Sequence, residues 1–248
     1  MLLLLSYGYY GGYRTSIDPT YTILLLAALG VMVLGIIAQV RVQSTFRKYS
    51  EVRAQCGMTA SQIASALLRQ SGSSVQVAPT AGTLTDNYNP QTGCVSLSQS
   101  VYSSTSVAAI AVAAHECGHV MQYESEYGAI RFRNSLLPIA NIGARFSYLL
   151  VLLGLFMGAL GYYVSLIGVA LFAFALIFQL LTLPIELNAS NRALDMLTSG
   201  GYIARGEEED AARKVLRAAA FTYVVAVLSS AISFLRLLAI ANSGRRNG

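Results

Sequence analysis

Residues 107–119 read Val107-Ala108-Ala109-Ile110-Ala111-Val112-Ala113-Ala114-His115-Glu116-Cys117-Gly118-His119. Eight small or apolar residues lead without a charge into two histidines four apart. The alanines favour helix, and the absence of charge before Glu116 predicts a buried one, running from about Ser106 to near Tyr123. On such a helix His115 and His119 stack on one face with Cβ atoms about 5–6 Å apart, so both imidazoles reach one ion. Glu116 projects beside them, where a carboxylate takes a proton from an activated water. This is the His-Glu-x-x-His spacing of zinc hydrolases. His115 and His119 are the only histidines among 248 residues. Burying two imidazoles and a carboxylate is costly unless they are satisfied, and a metal satisfies them.

The surrounding composition says where this helix sits. The chain is 54% hydrophobic and 12% charged, against about 25% charged for soluble domains. A bilayer span needs about 20 apolar residues. Residues 21–40 are uncharged and predict a first span. Residues 146–185 carry no formal charge either. At about 1.5 Å per residue they make some 60 Å of helix, twice the hydrocarbon thickness, so a hairpin turning near Gly161-Tyr162-Tyr163 is expected. Residues 218–240 hold a fourth span. The expected organisation is an N-terminal tail (1–20), a first span (21–40), a catalytic region (41–145), a hairpin (146–185), a polar segment (186–217), a fourth span and a tail (241–248).

Leu2 to Leu5 is too short for the apolar core of a cleavable signal peptide, and no basic residue precedes it. Tyr7, Tyr9, Tyr10 and Tyr13 read as an interfacial aromatic belt. Arg41, Arg47, Lys48 and Arg53 follow the first span, Arg131, Arg133 and Arg145 precede the second, and five further basic residues lie within 186–217. The positive-inside rule then puts 41–145 and 186–217 in the cytoplasm and both termini outside. Because these cations flank spans, the net charge of +5 calls for no nucleic-acid partner. Three sparse cysteines, Cys56, Cys94 and Cys117, show no disulfide framework.

Between the first two spans, Thr59-Ala60-Ser61-Gln62 is a capping box opening a helix to about Gln70. Val75-Gln76-Val77 and Cys94-Val95-Ser96-Leu97-Ser98 alternate as half-buried strands do. Asp86-Asn87-Tyr88-Asn89-Pro90 is dense in turn formers. The strand 94–98, close upstream of the histidine helix, is either a partner for an extended substrate or an ordinary core strand.

A catalytic zinc site needs a third protein ligand and an open position. The Gly at +3 and His at +6 of the metzincin pattern are Gln122 and Ser125 here. Glu124 and Glu126 lie at the end of the same helix, where reach is awkward. Glu207-Glu208-Glu209-Asp210 reads as an acidic first helical turn complementing the dipole. Glu186 is the first charge after forty uncharged residues, following Pro184, which is expected to change the chain direction. Ala189, Ser190 and Ala193 share its helical face and permit close approach of another helix. Glu186 is thus either a ligand or a carboxylate marking the membrane boundary. Gly154-Leu155-Phe156-Met157-Gly158 is a GxxxG pattern expected to pack the hairpin on itself.

Residues 86–122, above all Leu97-Ser98 and His115 through Gln122, resemble the membrane-bound neutral zinc metallopeptidases of bacteria, the YugP-like family. Leu183-Pro184-Ile185-Glu186-Leu187-Asn188-Ala189-Ser190 and Ser44-Thr45-Phe46-Arg47-Lys48-Tyr49-Ser50 carry the same likeness. More distantly the chain is similar to gluzincin membrane proteases of the HtpX and CAAX prenyl protease type. The resemblance implies a mainly α protein of about four transmembrane helices with a membrane-proximal α+β zincin-like domain. It implies one Zn2+ per chain on His115, His119 and Glu186, with Glu116 as catalytic base. It further implies a multi-pass protein of the bacterial plasma membrane that cleaves protein or peptide substrates from the cytoplasmic side. The relatives' second motif has Asp where Ser190 stands here, so Ser190 or Asn188 is expected to support a histidine instead. An oxyanion donor is expected from a tyrosine or from Arg192. Two other classes fit the residues: a membrane scaffold with a structural zinc, and a metal hydrolase of a non-peptide substrate.

Overall fold

The computed structural model describes residues 19–246; Tyr7, Tyr9, Tyr10, Tyr13 and Arg14 lie outside them. Among the described residues, four helices are long and apolar enough to cross a membrane: α1 (Pro19–Ser50), α5 (Gly128–Gly154), α6 (Gly161–Ser199) and α7 (Glu207–Arg246). Between α1 and α5 lie α2 (Ala60–Gln70), three strands, the single turn α3 (Gln99–Tyr102) and α4 (Val107–Glu124). The architecture is mainly α with a small sheet, as the sequence predicts. Ile36 and Val40 of α1 are each 59% exposed, a face that water does not tolerate and lipid does.

Helix polarity places the elements. Tyr21 Oη donates to Ala239 O, whereas the Arg41 guanidinium stacks over Phe221, so α1 and α7 run antiparallel. Gly143 meets the Leu171 backbone and Arg133 meets Thr182, so α5 and α6 also run antiparallel. The ends carrying Arg41, Arg133, Thr182 and Phe221 face the region that holds the sheet and α4. The hairpin turns at residues 155–160, just before the expected Gly161, because Gly158 takes a left-handed φ of 55°. Gly154 packs on Gly161 and Ser165, so this glycine packs the hairpin on itself, whereas Gly158 lies in the turn with no neighbour where a Cβ would stand. Pro184 does not redirect the chain. Helix α6 continues through it to Ser199, and Glu186 therefore rides on the membrane helix itself; prolines are tolerated there when neighbours supply packing and polar partners.

In the polar region, Thr59 caps α2 with a complete capping box. The sheet order is β1 (Gln76–Thr80), β3 (Cys94–Ser98), β2 (Asn87–Asn89). β1 is parallel and β2 antiparallel to β3. β3 is thus the central strand, paired with β1 along its length and with β2 over Cys94–Ser96, as an ordinary core strand is. Residues 87–89, expected as turn, form the edge strand, because pairing with β3 overrides the turn preference of two asparagines. Pro79 fits on β1 because an edge strand spares its missing N–H.

One core joins α2, β3, α4, the end of α6 and the start of α7. Val107 N donates to Val52 O and Ala54 N to Thr105 O, fixing the start of α4 to the chain leaving α1. The buried Glu208 adds a clamp: its carboxylate accepts from Gln55 N at 2.8 Å and Ala204 N at 2.7 Å. Its neighbour Glu209 pairs with Arg213 one turn on. The acidic turn therefore complements the dipole and also ties α7 to the loop after α1.

Candidate metal centre

Helix α4 starts at an N-cap, Ser106, whose hydroxyl accepts from Ala109 N. Nearly every residue up to Ala114 is buried. Three turns in, His115 and His119 face α6. There Gly118 and Ala189 allow an approach that larger residues forbid: a Cβ added at Gly118 would lie 2.5 Å from Ala189 O. The small face read around Glu186 thus meets the one glycine of the histidine motif.

This contact brings three residues together. Glu186 Oε2 lies 3.3 Å from His115 Nε2 and 3.5 Å from His119 Nε2. The three potential ligand atoms lie within 4.8 Å of one another. Zinc bonds of about 2.0–2.2 Å set tetrahedral ligand atoms about 3.3–3.6 Å apart, so both Glu–His edges have the length zinc requires. Glu186 Oε2 is buried and makes no hydrogen bond among the described residues. An orphaned carboxylate oxygen aimed at two ring nitrogens is a donor set that could hold a metal ion, and its chemistry fits zinc.

The other face of each imidazole is held. His115 Nδ1 lies 3.2 Å from Ser190 Oγ, and His119 Nδ1 lies 3.0 Å from Gln122 Oε1. Such partners fix the tautomer and leave Nε2 free for metal. Gln122 is fully buried. Its amide donates to Ile185 O at 2.8 Å and Asn188 Oδ1 at 3.0 Å. Ser190 therefore meets His115 directly, and Asn188 reaches His119 through Gln122. Arg192 donates its Nε to the same Asn188 oxygen at 2.9 Å and borders a separate cleft with Ser71, Glu124 and Asp195. It stands behind the imidazoles, away from Glu116.

Glu116 lies beside the imidazole pair, and burial pushes its carboxyl above the ordinary range against the pull of both imidazoles. For His119, burial favours the neutral ring, but Glu186 and Glu116 outweigh it and raise its pKa. Burial likewise raises the carboxyl of Asp86, which accepts from Ser98 N and Oγ and faces the same space. Cys117 points the other way, donating to Ala64 O, with its thiol pushed up by burial. Glu124 accepts from Ser73, and Glu126 pairs with Arg131; neither reaches the imidazoles.

Two residues that sequence reasoning did not single out complete the surroundings. Tyr223 of α7 and Arg133 of α5 border the cavity that holds His119 and Glu116. Gln122 was legible in principle, three residues from His119 on the same face. Tyr223 and Arg133 come from distant helices and had no local signal.

Residues 22–242 match the family described as "Putative neutral zinc metallopeptidase", and the chain belongs to that family. It is 43% identical over 226 residues to the "Putative membrane protease YugP" of Bacillus subtilis (strain 168), covering 91% of this chain and 98% of that protein. No solved structure matches.

Proposed function

We propose that the protein is a zinc-dependent endopeptidase of the bacterial plasma membrane, hydrolysing peptide bonds of membrane or membrane-proximal proteins. His115, His119 and Glu186 hold one zinc. The reading is carried by one observation: the orphaned Glu186 Oε2 lies a tetrahedral edge from both Nε2 atoms. Zinc bound there supplies Lewis acidity, lowering the pKa of water to about 7 and polarising the scissile carbonyl.

The chain's own groups do the rest. Glu116 accepts the proton of the attacking water and returns it to the departing amine. Ser190 and Gln122 keep the imidazoles oriented with Nδ1 turned away from the centre. Tyr223, which borders both cavities that hold Glu116, offers a hydroxyl for charge developing on the carbonyl oxygen, a role that the position of Arg192 does not suit. The basic residues near the ends of the spans favour a cytoplasmic active site, with both termini outside.

Glu116→Gln tests the reading. It keeps side-chain size and all three ligands while removing the base. Zinc content is expected to stay at the wild-type value while cleavage of a casein-type or membrane-protein substrate falls by orders of magnitude. Wild-type turnover in this variant would refute the mechanism and favour a structural zinc.

A further inference from the structure

Two cavities meet at Glu116, and their walls differ. The first, of about 310 Å³, is bounded by Val42 and Phe46 of α1, Val112 of α4 and Val215, Leu216 and Ala219 of α7. The second, of about 250 Å³, is bounded by Asn87 and Tyr88 of β2 and by Arg133 and Asn134 of α5. Asp86, His115, Glu116, Glu186 and Tyr223 border both. A chain laid across the metal centre therefore has apolar helix walls on one side and polar groups on the other.

The metal centre lies where the uncharged runs end: Glu186 is the first charge after residues 146–185. The uncharged run of α1 ends at Val40, and the next residue, Arg41, stacks over Phe221 at 5.8 Å. Val42 and Phe46 follow within two turns. Across the site the Arg133 guanidinium lies 5.1 Å from the Phe178 ring centre, and its Nε donates to Thr182. Among the described residues no carboxylate pairs with Arg133, so a cation is left facing the polar cavity. An apolar side chain moving from lipid into the first cavity loses no burial. The same side chain in the second would displace the hydration of Arg133 and Asn134 without replacing it. The site thus fixes which way a substrate of mixed polarity lies.

We infer that the site selects the segment where a substrate chain leaves the lipid. A bulky apolar side chain seats between α1 and α7 on one side of the scissile bond. Polar residues lie beside β2 and Arg133 on the other. This rests on the peptidase reading and adds the class of sequence cleaved. The small side chain of Ala219 leaves the apolar cavity open, and a larger residue there closes it.

The test uses full-length zinc-loaded protein in proteoliposomes. It is given single-span peptides whose last apolar residue before a polar segment is Ala, Val, Leu or Phe, with cut positions read by mass spectrometry. Leu and Phe are expected to be cleaved at least tenfold faster than Ala. Ala219→Phe should reverse that order with zinc content unchanged, since one methylene in an apolar pocket already changes selectivity about tenfold or more. In parallel, Glu116→Gln protein is photocrosslinked to a peptide with benzoylphenylalanine at that position. The label is expected on residues 215–220 of α7 or 42–46 of α1. An unchanged order in Ala219→Phe, or label on β2 and α5 instead, overturns the inference. Label on α7 with no cleavage by wild type supports the apolar seat between α1 and α7 but removes the peptidase reading, and with it the class of sequence cleaved.

Discussion

Gly118→Ala is the smallest substitution that sets local helix preference against the metal centre. Alanine favours helix over glycine by about 0.8–1 kcal/mol, so α4 alone should gain from it. The structure gives the opposite sign for the site. The new Cβ would stand 2.5 Å from Ala189 O and 3.1 Å from its carbonyl carbon, backbone atoms that no rotamer change moves. Ordinary contact at about 3.4 Å requires α4 and α6 to part by about 0.9 Å at this point. His115 and His119 sit on one helix and Glu186 on the other, so the 3.3 Å edge between Nε2 and Oε2 widens to about 4 Å. That exceeds the tetrahedral edge for zinc. Zinc affinity should fall on the order of 100-fold, about 2.7 kcal/mol. Competitive chelator titration of purified protein measures it, with far-UV circular dichroism showing that the helices persist. Zinc bound by Gly118→Ala as tightly as by wild type would show that the α4–α6 contact does not set the ligand geometry.

Gln122→Leu keeps the buried volume but leaves His119 Nδ1 without its partner and removes the donor to Ile185 O and Asn188 Oδ1. Zinc affinity should drop about 10–100-fold in the same titration, and an unchanged value would exclude Gln122 from orienting His119. Topology is tested by single cysteines at the exposed Ser125 and Ser199 in a background lacking the three native cysteines. In intact cells both should react with a membrane-permeant reagent only. Labelling of either by an impermeant reagent reverses the orientation, and labelling of just one is incompatible with a shared site.

What the sequence made legible was whatever is written in local spacing. The four-residue interval between His115 and His119, the Thr59 box that opens α2 and the apolar runs of the spans all involve neighbours on one helix. Glu186 stood out because it is the first charge after a long apolar run, and Ala189 because a small residue one turn away signals close packing. What stayed illegible arises only when distant segments meet. Asn87 and Asn89 look like turn and become strand because β3 offers unpaired backbone. Pro184 looks like a break, yet the helix continues through it, carrying Glu186 on a membrane helix. Tyr223 and Arg133 reach the centre from α7 and α5, and nothing near them in the chain says so. In the sequence, Arg192 is a candidate oxyanion donor along with a tyrosine. One helical turn from Asn188, it instead points to the rear of the imidazoles.

The central claim is that His115, His119 and Glu186 together hold one zinc ion. It is tested most directly by zinc-to-protein stoichiometry of detergent-purified wild type beside Glu186→Ala, each exchanged against the same chelator buffer. One zinc per wild-type chain and almost none in a folded, membrane-inserted Glu186→Ala protein is the predicted result. Full occupancy in Glu186→Ala, or a wild type that holds no zinc at any concentration below that of non-specific binding, would contradict it.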